Sequence, residues 1–79
     1  MNFVYVLRSM KDKKRYIGLT NNLDNRIKLH NNGSVDATRN RRPLELIYFE
    51  KFEERTEAAK REKFLKSGKG REFLKSIDK

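Results

Sequence analysis

Every position from Phe3 to Leu7 is apolar, and the run is bounded by Asn2 and Arg8. It is too short for a helix and lacks the alternation of a strand with one wet face. It therefore predicts a strand buried on both sides and central in its sheet, with Tyr5 sharing a face with Phe3 and Leu7. The polar stretch Met10-Lys11-Asp12-Lys13-Lys14 predicts a turn. Tyr16 to Thr20 then resumes as a strand, with Ile17 and Leu19 on one face and Tyr16, Gly18 and Thr20 on the other; a β-hairpin is the simplest connection. Asn21 or Asn22 can cap a helix running from about Leu23 to Asn31, and Asn32-Gly33-Ser34 ends it. Leu44 to Phe52 reads as a third strand, opened by Pro43, whose missing N–H is tolerable there. Thr56 followed by Ala58 and Ala59 starts a second helix, and Ser67-Gly68-Lys69-Gly70 breaks it before a short closing helix near Glu72 to Ser76. The order β-β-α-β-α with a short C-terminal helix makes an α+β fold, a three-stranded antiparallel sheet flanked by helices. A chain of 79 residues has room for one such domain, expected over 1–79.

Composition adds a partner class to this outline. Lys and Arg number 20 against 11 Asp and Glu, a formal charge of +9. The excess runs through both halves of the chain, so it describes a surface attractive to polyanions rather than a detachable basic tail. There is no cysteine and a single histidine, which excludes a disulfide framework, a thiolate metal site and a multi-histidine metal cage. The apolar start of the chain is only about five residues long, too short for a signal-peptide core or a membrane span, and a cytoplasmic location follows as the expectation. Neither repeats nor low-complexity tracts interrupt the sequence.

Several residues stand out from the core pattern. In the first helix Leu23 and Ile27 form the core stripe, while Arg26 and His30, four apart, share a ridge at its edge; both could simply snorkel from that border. In the second helix Glu62 lies on the face defined by Ala58 and Leu65, where an apolar residue is expected. A carboxylate facing inward asks for a partner, and Lys66, four residues on, is one candidate. Tyr5 and Tyr16 are ordinary packing residues if taken singly. Ala37 to Arg42 carries Arg39, Arg41 and Arg42 in a short segment suited either to phosphate contacts or to solvent.

Taken together, Phe3-Val4-Tyr5, Tyr16-Ile17-Gly18 and the helical segment Arg26-Ile27-Lys28-Leu29-His30 resemble the GIY-YIG nuclease superfamily. The likeness covers nearly the whole chain, because the helix bearing Glu62 and the basic segment from Ala37 to Pro43 also stand where that family places them. It is similar in kind to the small stand-alone bacterial members, which look like the nuclease domain of the excision-repair endonuclease. The resemblance implies a metal-dependent endonuclease hydrolysing phosphodiester bonds in DNA, with RNA or branched DNA as other substrates and repair or recombination as the setting. It places the catalytic groups at Tyr5, Tyr16, Arg26 and His30. Arg26 would hold the scissile phosphate, His30 would orient or deprotonate the attacking water or bond phosphate, and the two tyrosines would share water activation and phosphate positioning. Glu62 aligns with the family's acidic ligand for Mg²⁺ or Mn²⁺, and Gly18 would leave room for backbone or substrate to approach. No small-molecule cofactor is implied. The chain departs from the family pattern at Phe3 and Val4, which replace the Gly and Ile of the first signature. It departs again at Leu19 and Thr20, where some members carry a basic residue, and it has no counterpart of an Asn found after the ligand Glu. A non-catalytic nucleic-acid-binding module of the same fold is the competing class.

Overall fold

The computed structural model describes residues 1–77; the last two residues of the expected 1–79 domain lie outside the described residues. Strand β1 (Asn2–Ser9) is central, flanked antiparallel by β2 (Arg15–Thr20) and β3 (Leu44–Phe52) in the order β2-β1-β3. Helix α1 (Leu23–Asn31) follows β2, and α2 (Arg55–Leu65) and α3 (Gly68–Ile77) follow β3. The expected α+β architecture is thus the observed one. The unbroken apolar run of β1 has the meaning its pattern implied. Val4 and Val6 pack with Ala58, Leu65 and Leu74 on the α2 and α3 side, while Tyr5 and Leu7 pack with Leu44, Leu23 and Ile27 on the α1 side. Burial on both faces is the main stabilising term for so short a chain, at about 25 cal/mol per Å² of apolar surface removed from water.

A bulge sets the side-chain phase of β3. Val6 faces Tyr48 while Leu7 faces Leu46, so Ile47 is an extra residue on β3. Ile47 and Tyr48 consequently both pack on the α2 and α3 side, and Leu46 returns to the other face. Glu50, two residues on from Tyr48, receives two hydrogen bonds from Arg61 of α2, at 2.9 and 3.0 Å, and a third from the Tyr48 hydroxyl. The Arg61 guanidinium also lies over the rings of Phe64 and Phe73, 4.9 and 5.0 Å from their centroids. Burial opposes the Glu50 charge, yet its bonds to Arg61 and Tyr48 hold the carboxyl below its ordinary pKa. This clamp fixes the setting of α2 against the sheet one residue before Glu62.

Two helix boundaries differ from the sequence expectation. Helix α2 begins at Arg55 with Glu54 at its N-cap, so Thr56, expected to start the helix, lies within its first turn. The segment Ser67-Gly68-Lys69-Gly70 does not separate two distant helices. Lys66 and Ser67 make the break, the Ser67 hydroxyl accepts the Gly70 N–H at 3.2 Å, and both glycines lie inside α3. The physical reason is close packing, because Gly70 is buried and a Cβ there would collide with the Phe64 carbonyl and the Leu65 backbone. Gly70→Ala is accordingly expected to destabilise the fold by about 1–3 kcal/mol despite its better helix propensity. Urea denaturation checks this, and a midpoint equal to or above the parent's would show that α3 does not need the close approach.

Candidate active site

Register places Gly18 directly opposite Tyr5 on the neighbouring strand. The Tyr5 ring lies across that glycine, so that a Cβ at position 18 would run into Cζ and Oη of the tyrosine. Gly18 therefore makes room for a side chain of the protein itself, a correction to the expectation that it admits backbone or substrate. The edge strand β2 meets the ring at Gly18. Tyr5 is nonetheless 1% exposed.

The Tyr5 hydroxyl is the hub of a chain of polar contacts. It lies 2.9 Å from His30 Nε2 and accepts a longer bond from Arg26 Nε at 3.4 Å. His30 Nδ1 lies 2.7 Å from the Thr38 hydroxyl. Helix periodicity brings Arg26 and His30 to the same edge of α1, which Asn22 starts by accepting the Asn25 N–H at 3.1 Å. Tyr16 closes the group with its ring 5.0 Å from His30 and 6.5 Å from Tyr5, centroid to centroid. Burial raises the Tyr5 pKa, partly offset by the bond from Arg26. Bonding to Tyr5 raises that of Arg26, and Tyr16 adds a smaller contribution of the same sign. A guanidinium bonded to the Tyr5 hydroxyl is a fixed positive fork beside the two phenols.

His30 has a different place from the one its sequence position suggested. It is fully buried, and both ring nitrogens are engaged by hydroxyls of the protein. Desolvation, reinforced by the charge of Arg26, lowers its pKa from 6.5 to about 4, so the ring is neutral at neutral pH. Direct contact with an attacking water or a phosphate is not available to a ring so enclosed. Proton transfer from Tyr5 is equally unfavourable, since each unit separating a raised phenol from a lowered imidazole costs about 1.4 kcal/mol. His30 is a neutral spacer that fixes the Tyr5 oxygen. Because its folded pKa is depressed, the unfolded chain binds the extra proton between about pH 6.5 and 4. Stability is full above that window and falls through it as pH drops, by about 3 kcal/mol in all. Urea denaturation at steps from pH 7 to pH 4 checks this: the loss should be clear in the parent and flattened in His30→Gln, while equal slopes would place His30 in a solvated site. The chain has a single histidine, so its ring resonances can be followed by NMR without ambiguity.

Of the two accounts that the sequence left open for Glu62, the structure shows the ion pair. The Glu62 carboxylate lies 3.3 Å from Lys66 Nζ, the helical pair four residues apart. Its charge is the smallest of the causes acting on the Tyr5 pKa, and α1 and α2 cover opposite faces of the sheet. Helix α2 packs on β2 as well as β1 and β3. Among the described residues no group of three or more His, Cys, Asp or Glu side chains could enclose a metal. One carboxylate oxygen donor with hydroxyls nearby fits a hard divalent cation that keeps most of its waters, and does not fit zinc.

The arginine segment is a short 3₁₀ turn, Arg39–Arg41, whose guanidiniums are largely committed within the protein. Arg39 pairs with Asp36 at 2.5 Å, Arg41 with Asp12 at 3.0 Å, and Arg42 Nε donates to the Arg39 carbonyl at 2.8 Å. The Arg41 carbonyl in turn accepts from Ser9 at 2.6 Å. A phosphate would have to compete with these partners. The turn's contribution to the site is Thr38, fully buried against His30. Sequence reasoning passed over Thr38, a lone hydroxyl in a polar segment with no spacing to mark it.

Comparison with known proteins returns the GIY-YIG catalytic domain over residues 1–75. The UPF0213 protein CPE1444 of Clostridium perfringens is 52% identical over 67 residues, which are 84% of this chain and 71% of that protein. The UPF0213 protein OB0043 of Oceanobacillus iheyensis is 38% identical over 78 residues, 98% of this chain and 90% of that one. Among solved structures, the solution NMR structure of the UPF0213 protein BH0048 from Bacillus halodurans superimposes with a TM-score of 0.59 at 36% identity, covering 99% of this chain and 86% of the other. These names state a grouping and no activity.

Proposed function

The chain belongs to the GIY-YIG catalytic-domain family, and we propose that it is a divalent-metal-dependent endonuclease that hydrolyses phosphodiester bonds in DNA. The observation that carries this reading is the Arg26 guanidinium, bonded to the buried Tyr5 hydroxyl beside Tyr16. Arg26 offers its remaining N–H groups to a non-bridging oxygen of the scissile phosphate, where negative charge gathers as the reaction proceeds. Tyr16, partly exposed, is the phenol that meets the attacking water. The water, hydrogen-bonded to the Tyr16 hydroxyl, gives its proton to solvent as its oxygen bonds to phosphorus, and the bond from phosphorus to the leaving oxygen breaks, that oxygen taking a proton from solvent. Tyr5 orients Arg26, and His30 and Thr38 hold Tyr5. Glu62 would hold Mg²⁺ or Mn²⁺, which when bound supplies Lewis acidity at the phosphoryl oxygens.

A cytoplasmic location and a role in repair or recombination accord with this chemistry. No described helix is long and apolar enough to cross a membrane. The second reading, a nucleic-acid-binding module without turnover, draws support from one observation, the Lys66 ammonium already seated on Glu62. Incubation with labelled single-stranded, double-stranded and branched DNA and with RNA, each with and without Mg²⁺ and Mn²⁺, separates the two. Cation-dependent product is expected from a DNA substrate; binding without product from any of them would establish the module.

A further inference from the structure

Three side chains shut off from solvent form an unbroken line beneath Arg26. Tyr5 is 1% exposed, and His30 and Thr38 are fully buried. The spacings are 3.4 Å from Arg26 Nε to the Tyr5 hydroxyl, 2.9 Å from that hydroxyl to His30 Nε2, and 2.7 Å from His30 Nδ1 to the Thr38 hydroxyl. Such a line has two arrangements of protons, because a neutral imidazole carries one N–H and offers its other nitrogen as acceptor. Arg26 can only donate, so it occupies a lone pair of the Tyr5 oxygen and gives the phenol proton no place to go. Burial keeps the phenol protonated. Among the described residues, the acceptor within hydrogen-bonding distance of that proton is His30 Nε2. With Nε2 accepting, the ring proton stands on Nδ1 and the Thr38 oxygen receives it. The reverse arrangement would aim two N–H donors, from His30 and Arg26, at one phenol oxygen and leave its proton enclosed without an acceptor. That is a costlier orphan than the rotating hydroxyl proton of a threonine.

We infer that Thr38 is a positioning residue of the site: its hydroxyl oxygen accepts the His30 Nδ1 proton, fixes the tautomer of the ring and turns the Tyr5 proton inward, leaving a lone pair of the phenol to hold Arg26. The build of the arginine turn accords with this role. Thr38 stands at the N-cap of the 3₁₀ turn, yet its hydroxyl makes no capping bond and is committed to His30 instead. Its backbone is held from both sides, by Thr38 N donating to the Val35 carbonyl at 3.1 Å and Arg41 N donating to the Thr38 carbonyl at 2.9 Å. Arg41 in turn is pinned to the β1–β2 hairpin by Asp12 at 3.0 Å and by Ser9, which donates to the Arg41 carbonyl at 2.6 Å. The basic segment therefore delivers a hydroxyl to the far end of the line from Arg26. What the tautomer does for a phosphate rests on the nuclease reading; the tautomer itself does not.

The single histidine makes the tautomer directly readable by nitrogen NMR, since protonated and bare ring nitrogens resonate far apart. At neutral pH the parent should carry its proton on Nδ1 and have a bare Nε2. Thr38→Val keeps the shape and loses the acceptor, and should move the proton to Nε2. The Arg26 Nε–H, then competing with His30 for one oxygen, should exchange with solvent about tenfold faster. Cleavage should fall about tenfold with its metal dependence unchanged, because the fork is no longer held in place. Thr38→Ser, which returns the hydroxyl, should restore all three readings. A parent ring protonated on Nε2, a tautomer that Thr38→Val leaves unchanged, or cleavage that persists when the tautomer flips overturns the inference, and so does a serine variant that behaves as the valine one. The parent's tautomer is read without any substitution, so the inference stays testable even where the valine variant does not fold. Should the parent cut no nucleic acid, the nuclease reading fails, while the tautomer and the Arg26 exchange rate still decide for or against Thr38.

Discussion

Arg26→Ala is expected to lower the cleavage rate by about 10²- to 10³-fold and to weaken metal-free DNA binding as well. The first effect follows from removing a preorganised donor aimed at developing charge. The second arises because the same fork meets the phosphate before reaction. Lysine should not restore the rate, since a single ammonium cannot reproduce a planar fork bonded on one side to Tyr5 and open to phosphate on the other. A separate readout distinguishes this role from general damage. Arg26 is the second cause, after desolvation, of the low His30 pKa, so Arg26→Ala should move the histidine upward while leaving it below its ordinary value. Unchanged cleavage kinetics, or a loss of folding that accounts for the loss of activity, would remove Arg26 from the reaction.

Different parts of the molecule were legible in the sequence to different degrees. The strands were legible because burial on two faces and on one face leave different patterns, and β1 is the plainest case in the chain. Helix α1 was legible from Asn22 and from the spacing of Leu23 and Ile27. The extent of α3 was not, because glycine reads as a breaker, and only the packed structure reveals that Gly70 lies where no Cβ fits. The bulge at Ile47 escaped for a similar reason, since the strand is apolar at several neighbouring positions and register is a property of two strands. At the site, Tyr5, Tyr16 and Arg26 were found through a family resemblance and meet in space. His30 was found too, but its position in the chain says nothing of burial, and burial turns a candidate base into a neutral support. Thr38 is a tertiary feature, brought to His30 by a turn. Clustering in sequence pointed to Arg39, Arg41 and Arg42, whereas in the fold Arg39 pairs with the nearby Asp36, Arg41 with the distant Asp12, and Arg42 bonds a backbone carbonyl.

Glu62→Gln gives the other large effect and the sharpest test of the central claim, that one carboxylate on α2 completes a hydrolytic site with Tyr5, Tyr16 and Arg26. Glutamine keeps the shape and the hydrogen-bonding capacity of the side chain and removes only the charge. The pair with Lys66 is partly exposed and worth at most about 1 kcal/mol, so folding should survive its loss. The measurement is cleavage of labelled DNA in Mg²⁺ or Mn²⁺ by the parent and the variant, alongside metal-free affinity and the thermal midpoint. Cleavage is expected to fall by about a hundredfold or more while metal-free affinity stays equal or rises slightly, because a negative charge has left a surface that faces phosphates. Cleavage that persists in the variant, or a thermal midpoint that falls in step with activity, would make Glu62 a structural partner of Lys66 and contradict the site.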